Sequence, residues 1–330
     1  MKKNKLFSIV SLLVIGLLLL SGCGSNQTAQ TNANDGKVEF TKPISIVIPS
    51  SPGASIDVMA RIISKLGDKY FGTTVTVLNK TGGSGNVALA YTQSQPANGY
   101  TIHGEATGIT SVLQLPGAQY TYKDFIYVSQ LQNDPFVLYV GKDSPYKTIE
   151  EFIAAAKEKP GELTVGGYGT GTPHHIFAET FAKQVDIKIK WISFDSGNDA
   201  LVATMGGHLD ATLSNASLLP SSQSKVIALA VSSHDPLEQF PDIPTFASKD
   251  LPDLTKYHWR GILVKKDTPE NVVKALDEGF KNMTQDPEWK KYIEDAAMLE
   301  GYSSTEEFTK MVYAQADNDL KVLKEIGLVK

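Results

Sequence analysis

From Ile44 the chain alternates short apolar runs with stretches whose apolar residues recur at helical spacing. Residues 44–48 read as a strand, and Met59, Ile62, Ile63 and Leu66 then fall on one helix face. Residues 75–78 give a second strand, 87–93 a helix and 100–103 a third strand. This is the rhythm of a parallel sheet with crossover helices. Residues 125–131 and 136–140 add two apolar strands. The rhythm then restarts. Thr148 with Glu151 forms a capping-box pattern opening a helix through Lys157. Strands follow at 163–165, 188–192, 211–213 and 226–231, with helices at 173–183 and 200–205. Past Trp259 the pattern turns helical. Thr268-Pro269 and Asp286-Pro287 each place a cap residue before a proline, and Ser304 with Glu307 repeats the capping box.

The pattern implies two α/β domains, one spanning 38–141 and completed by 263–330, the other spanning 142–262. The chain would cross between them near 137–141 and 261–264. Ligands in open α/β sheets bind beyond the carboxyl ends of the strands. Two such domains face each other across a cleft that closes by hinge motion.

The N-terminus has a different pattern. Lys2, Lys3 and Lys5 precede an apolar run, 6–20, and Leu20-Ser21-Gly22-Cys23 follows. A basic start, a short apolar core and small residues before a cut describe a secretory signal. The run falls short of the ~20 residues a membrane-spanning helix needs. An uncleaved anchor helix is the competing reading. Leu-Ser-Gly-Cys resembles the bacterial lipobox, which implies a signal peptide over 1–22, cleavage before Cys23 and diacylglycerol on its sulfur. Residues 24–37 are polar and without apolar period, a disordered tether of about 20 Å root-mean-square span.

Composition narrows the chemistry. One cysteine excludes an intramolecular disulfide, a thiolate metal cluster and a redox pair. The formal charge is −5, and removing the three N-terminal lysines takes it to −8. An acidic body argues against nucleic acid and against a polybasic membrane face. A monomer is expected.

Three glycine-rich loops are candidates for binding. The first is Pro49-Ser-Ser-Pro-Gly-Ala-Ser-Ile-Asp57, the second Thr81-Gly-Gly-Ser-Gly-Asn86, the third Gly166-Gly-Tyr-Gly-Thr-Gly-Thr-Pro173. Glycine lets backbone N–H groups approach a ligand, and a helix N-terminus adds unpaired N–H groups and a positive dipole end. Together they form an anion site without lysine or arginine. The second loop reads equally well as a structural turn. Gly82-x-Ser84-x-Asn86 lacks the last glycine of a nucleophile elbow, and there is no Walker lysine. The six histidines contain no His-x-x-x-His pair, so neither a metal nor a cofactor is expected. Asp57 and Arg61 read as a helix-surface or interdomain pair, and Trp259 and Trp289 as core.

These motifs in this order resemble the Bug, or TctC-like, substrate-binding proteins of tripartite tricarboxylate transporters. Its carriers are Pro52-Gly53-x-x-x-Asp57-x-x-Ala60-Arg61, Asn79-Lys-Thr-Gly-Gly-Ser-Gly-Asn86, Pro96-x-x-Gly99-Tyr100-Thr101 and Gly169-x-Gly171-Thr172-Pro173-x-His175. Gly206-Gly207-x-x-Asp210, Pro241-Asp-Ile-Pro244-Thr245 and Trp259-x-Gly261 complete the series. The resemblance implies a periplasmic-binding-protein-like fold, capture of a small carboxylate and delivery to membrane permease subunits, without catalysis. It implies ligand contacts at Ser51, Gly53, Ala54 and Asp57, at Thr107 and Gly108, at Gly169, Thr170, Gly171, Thr172 and His175, and in the region of Asp195. Two features depart from the family. Ala54 replaces the usual second glycine, and Asp195 stands where lysine is common. If Asp195 and Glu105 both face the ligand, they favour an ammonium group; the reading preferred from sequence is that they face solvent. A hydrolase using His175 and a ligand sensor are the rival functions.

Overall fold

The computed structural model describes residues 38–330; the signal segment, Cys23 and the tether lie outside the described residues. In chain order the elements are β1 (Ile44–Ile48), α1 (Ser55–Phe71), β2 (Val75–Asn79), α2 (Asn86–Ser94), β3 (Thr101–Ala106), α3 (Ile109–Val112) and β4 (Phe125–Gly141). Then come α4 (Ile149–Glu158), β5 (Thr164–Tyr168), α5 (Pro173–Gln184), β6 (Lys190–Phe194), α6 (Gly197–Met205), β7 (Ala211–Asn215), α7 (Leu219–Ser222) and β8 (Val226–Val231). The chain ends with β9 (Tyr257–Lys265), α8 (Glu270–Met283), α9 (Pro287–Asp295), β10 (Leu299–Ser303) and α10 (Thr305–Glu325). Among the described residues no helix is long and apolar enough to cross a membrane.

The strands run β2-β1-β3-β9-β4-β7-β5-β6, with β8 and β10 also paired to β4. β1, apolar and buried except at Ser45, lies parallel between β2 and β3. β9 is antiparallel to β3 and β4; β7 and β8 are antiparallel to β4 on its other half. β5 lies parallel between β6 and β7.

Residues 125–131 and 136–140, expected as two strands, are one strand of 17 residues. The intervening Gln132-Asn133-Asp134-Pro135 interrupts the apolar pattern, yet its polar groups are satisfied inside the sheet. Tyr292 Oη donates to Gln132 Oε1 at 3.1 Å, and Gln130 Nε2 donates to Asn133 Oδ1 at 2.6 Å. Buried polar side chains bonded in this way do not interrupt a strand. The partners of β4 change here: Pro135 pairs with Tyr257 of β9, and Phe136 with Asn215 of β7. The expected crossing points at 137–141 and 261–264 therefore fall within strands. β9, expected to give way to helix after Trp259, continues as strand to Lys265.

Each sheet half has its own core. In the first, Met59, Ile63, Leu276, Phe280 and Trp289 pack α1, α8 and α9 on one face. Trp259, Tyr127 and Phe308 pack α10 on the other. In the second, Phe136, Phe152, Phe177 and Phe246 pack α4 and α5 on one face, and Tyr139, Leu201 and Leu219 pack α6 and α7 on the other. Trp259 and Trp289 are core residues, as expected.

The helix starts differ in detail from the motifs. Thr148 caps α4, but Glu151 reaches the N–H of Lys147 instead of the cap's own. α8 begins at Glu270 behind Pro269, whose ψ of 141° is extended, so Thr268 is not its cap. Ser304 and Glu307 form the full reciprocal box. Asp286 caps α9 through the N–H of Glu288 and also accepts from Lys69 and Tyr70, fastening α9 to the end of α1. The Lys69 ammonium, the Glu288 N–H and the Tyr70 hydroxyl pull its carboxyl from 3.8 to about 2. A carboxyl depressed on folding adds stability that is present above its ordinary value and lost as pH falls through the folded one. Asp286→Ala is expected to cost about 1–2 kcal/mol at neutral pH. In urea unfolding, that difference should shrink as pH falls from about 4 towards 2; a constant difference across this window contradicts the assignment.

Candidate functional site

The carboxyl ends of β1, β3, β5 and β6 open on a single cleft of about 690 Å³. The first half contributes Ser50, Ala54 and Ile56, with an apolar wall of Leu89, Ile109, Val112 and Leu113. The second contributes Tyr168, Gly169, Thr170, Thr172, Pro173, Phe194 and Asp195. His258 and Arg260 of β9 complete the lining.

The first loop owes its shape to Asp57. This carboxylate accepts the N–H of Gly53 at 2.8 Å, two hydrogen bonds from Arg61 at 2.7 and 3.1 Å, and Nδ2 of Asn79 at 2.9 Å. Asn79 also donates to Ser50 O. Burial opposes the charge on Asp57, but the bonds from Arg61, Gly53 and Asn79 outweigh it and hold the carboxyl below its usual range. Asp57 is thus a buried clamp on the loop. Gly53 has a φ of +86°, a left-handed turn that suits glycine. Ala54 has φ −68° and ψ 156°, so the methyl group at this departure from the family costs nothing in backbone strain. Ala54 is the N-cap of α1 and has no side chain to cap it. The first N–H groups of α1 therefore have no acceptor within the helix, and Ala54, Ser55 and Ile56 all line the cleft.

The third loop is also held from behind. Gly171 N–H donates to His175 Nδ1 at 3.1 Å, and the His175 ring stacks on Trp191 at 4.7 Å. His175 Nε2 lies 3.4 Å from Glu179. Trp191 Nε1 donates to Gly169 O. Thr172 is the N-cap of α5, but its hydroxyl donates to Tyr168 O and leaves the helix start open. A second uncapped N-terminus thus meets the same cleft, with Pro173 at its first position.

The structure divides the predicted site residues in two. Ala54, Gly108, Gly169, Thr170, Thr172 and Asp195 line the cleft. Ser51, Gly53, Asp57, Thr107, Gly171 and His175 are not part of its lining: Ser51 and Gly53 are exposed, and the other four are buried. Ser51 O accepts the Ala54 N–H. Thr107 is buried, and both its N–H and its hydroxyl donate to Trp259 O. In the second loop Gly82 and Gly85 reach the cleft. Glu105 and Asp195 both line it, Glu105 half-buried and Asp195 exposed to solvent. Glu105 takes His103 Nε2 at 3.2 Å and the Ala106 N–H at 2.9 Å.

Sequence reasoning missed the polar junction beneath the cleft. Asn215 Oδ1 accepts from His174 Nε2 at 2.9 Å and from His258 Nδ1 at 3.3 Å. Burial pushes the His174 ring down to about 4, and burial with the nearby Arg260 charge pushes His258 down as well, so both are neutral at pH 7. Arg260 Nη2 lies 3.2 Å from Asp134, which also accepts the N–H and hydroxyl of Ser217. Burial raises the Asp134 carboxyl, with Arg260 and Ser217 opposing. Ser50 Oγ is buried at the cleft without a partner among the described residues. Among the described residues no group of three or more His, Cys, Asp or Glu side chains is placed to hold a metal.

Residues 59–328 match the family described as the tripartite tricarboxylate transporter family receptor, TctC. Protein BugT of Bordetella pertussis is 27% identical over 250 residues, covering 74% of this chain and 77% of BugT. A TctC solute binding protein from Polaromonas superposes with a TM-score of 0.73 at 26% identity, over 86% of this chain and 99% of that one. A protein from R. palustris solved with adipate superposes with a TM-score of 0.76 at 24% identity, over 86% and 97% of the two chains; that likeness concerns the fold. The superpositions bear out the periplasmic-binding-protein-like α/β fold expected from the sequence.

Proposed function

Because the chain belongs to the tripartite tricarboxylate transporter receptor family, we propose that it captures a small carboxylate in this cleft and presents it to a tripartite-type permease. The observation that carries this reading is the pair of uncapped helix starts, α1 at Ala54 and α5 at Thr172, both in the cleft lining. A ligand carboxylate supplies the missing acceptors. Hydrogen bonds to a charged group contribute about 1.5–3 kcal/mol each, and the helix dipole adds about 0.3–1 kcal/mol at each end. Ser50 Oγ is a further donor. The two sheet halves act as two domains that close on the ligand by bending where β4 changes partners and just before β9. Residues 1–22 serve as the signal, and lipid on Cys23 tethers the body outside the cell membrane beside its permease.

The role is binding without turnover. His175, the one candidate base in the motifs, is engaged by Gly171 and Glu179 and stands behind the cleft lining. Thermal shift of the purified chain tests the reading, with mono-, di- and tricarboxylates, amino acids and aromatic acids set against their amides. A ligand of the native state raises stability by mass action. At least one acid should raise the melting temperature where its amide does not; no shift with any acid contradicts the proposal.

A further inference from the structure

Two acidic side chains face the cleft from opposite sheet halves, Glu105 at the end of β3 and Asp195 just after β6. Tyr168 lines the cleft with them. Burial raises the Tyr168 hydroxyl, and the charges of Glu105 and then Asp195 raise it further. The corner around Tyr168 is therefore negative from both sides.

The cations in the lining do not offset it. Arg260 is committed to Asp134 at 3.2 Å, both side chains being buried. His258 is held neutral by burial and by Arg260. His103, behind Glu105, has Thr92 Oγ1 at 2.9 Å from Nδ1 and Glu105 at 3.2 Å from Nε2. His103 is itself fully buried and is not part of the lining. Asp195 is exposed and takes part in no ion pair found among the described residues.

Resting on the reading of the cleft as a carboxylate site, we infer that the ligand carries a cationic group, an ammonium in the simplest case, which Glu105 and Asp195 hold beside Tyr168 while its carboxylate caps α1 and α5. A second carboxylate in that corner meets two like charges; an ammonium meets two opposite ones. The cleft thus selects an amino acid or another ammonium carboxylate over a plain di- or tricarboxylate.

Titration calorimetry on the purified chain tests this with pairs of one carbon skeleton: L-aspartate with succinate, L-glutamate with glutarate, γ-aminobutyrate with butyrate, L-norleucine with hexanoate. At least one amino member should bind about tenfold or more tighter than its plain partner. Asp195→Asn and Glu105→Gln should each reduce that preference, and the double variant should erase it. Asp195 is exposed, so Asp195→Asn alone keeps the test valid if Glu105→Gln does not fold. Plain acids that bind as tightly as their amino partners, or a preference unchanged in Asp195→Asn, overturn the inference and leave the carboxylate site standing. Binding by neither series overturns both.

Discussion

Ala54→Asp is expected to weaken carboxylate binding by about 100-fold or more while raising the stability of the unliganded chain by about 1 kcal/mol. Ala54 already has the extended backbone of an N-cap, with φ −68° and ψ 156°, and lacks only the acceptor. An aspartate there bonds the first-turn N–H groups of α1 within the chain. It takes the donors that the ligand uses and adds a negative charge where the ligand carboxylate sits. Ala54→Asn separates the two effects, because it caps the helix without the charge and should weaken binding less. Urea unfolding and calorimetry on the same preparations read both signs. A variant that gains stability and still binds as the wild type places the carboxylate elsewhere.

The second large effect is on the frame. Asp134→Ala is expected to cost about 3–5 kcal/mol, because it leaves the buried Arg260 without a partner. Asp134 also accepts from both donors of Ser217 and sits on β4 beside the residue where its partners change. Burial alone pushes its carboxyl up, so the pair is not favourable merely for being charged. Its effect is to join β4, β9 and the turn after β7 at one point. Replacing both partners with apolar residues, Asp134→Leu with Arg260→Met, should recover most of the loss. Equal losses in the single and double variants contradict this account.

The glycine loops were legible because their chemistry is local. Gly53 adopts a positive φ where the motif placed glycine, and Pro173 occupies the first position of α5 as its motif implied. β1 and β2 were legible because each is a short, largely apolar run, paired in parallel. β4 was read as two strands because the pairing that keeps Gln132 and Asp134 in the sheet comes from Tyr292, Ser217 and Arg260, more than 80 residues away in sequence. β10 reads Leu-Glu-Gly-Tyr-Ser, with no apolar alternation to mark it. Asp57 and His175 appeared as site residues because they travel with the loop motifs; they hold the loops from behind. Asn215, His258 and Arg260 belong to no motif, and only pairing across strands brings them beneath the cleft. That Asp195 and Glu105 share a cleft depends on the packing of two sheet halves, which spacing along the chain does not report.

The central claim is that a carboxylate occupies the open ends of α1 and α5. Backbone amide NMR with the acid that gives the largest thermal shift tests it most directly. The amide protons of Ser55, Ile56, His174 and His175 should move downfield together on titration, and those of Ser55 and Ile56 should not respond in Ala54→Asp. Binding that leaves these four amides in place, with its shifts elsewhere on the chain, would contradict the claim.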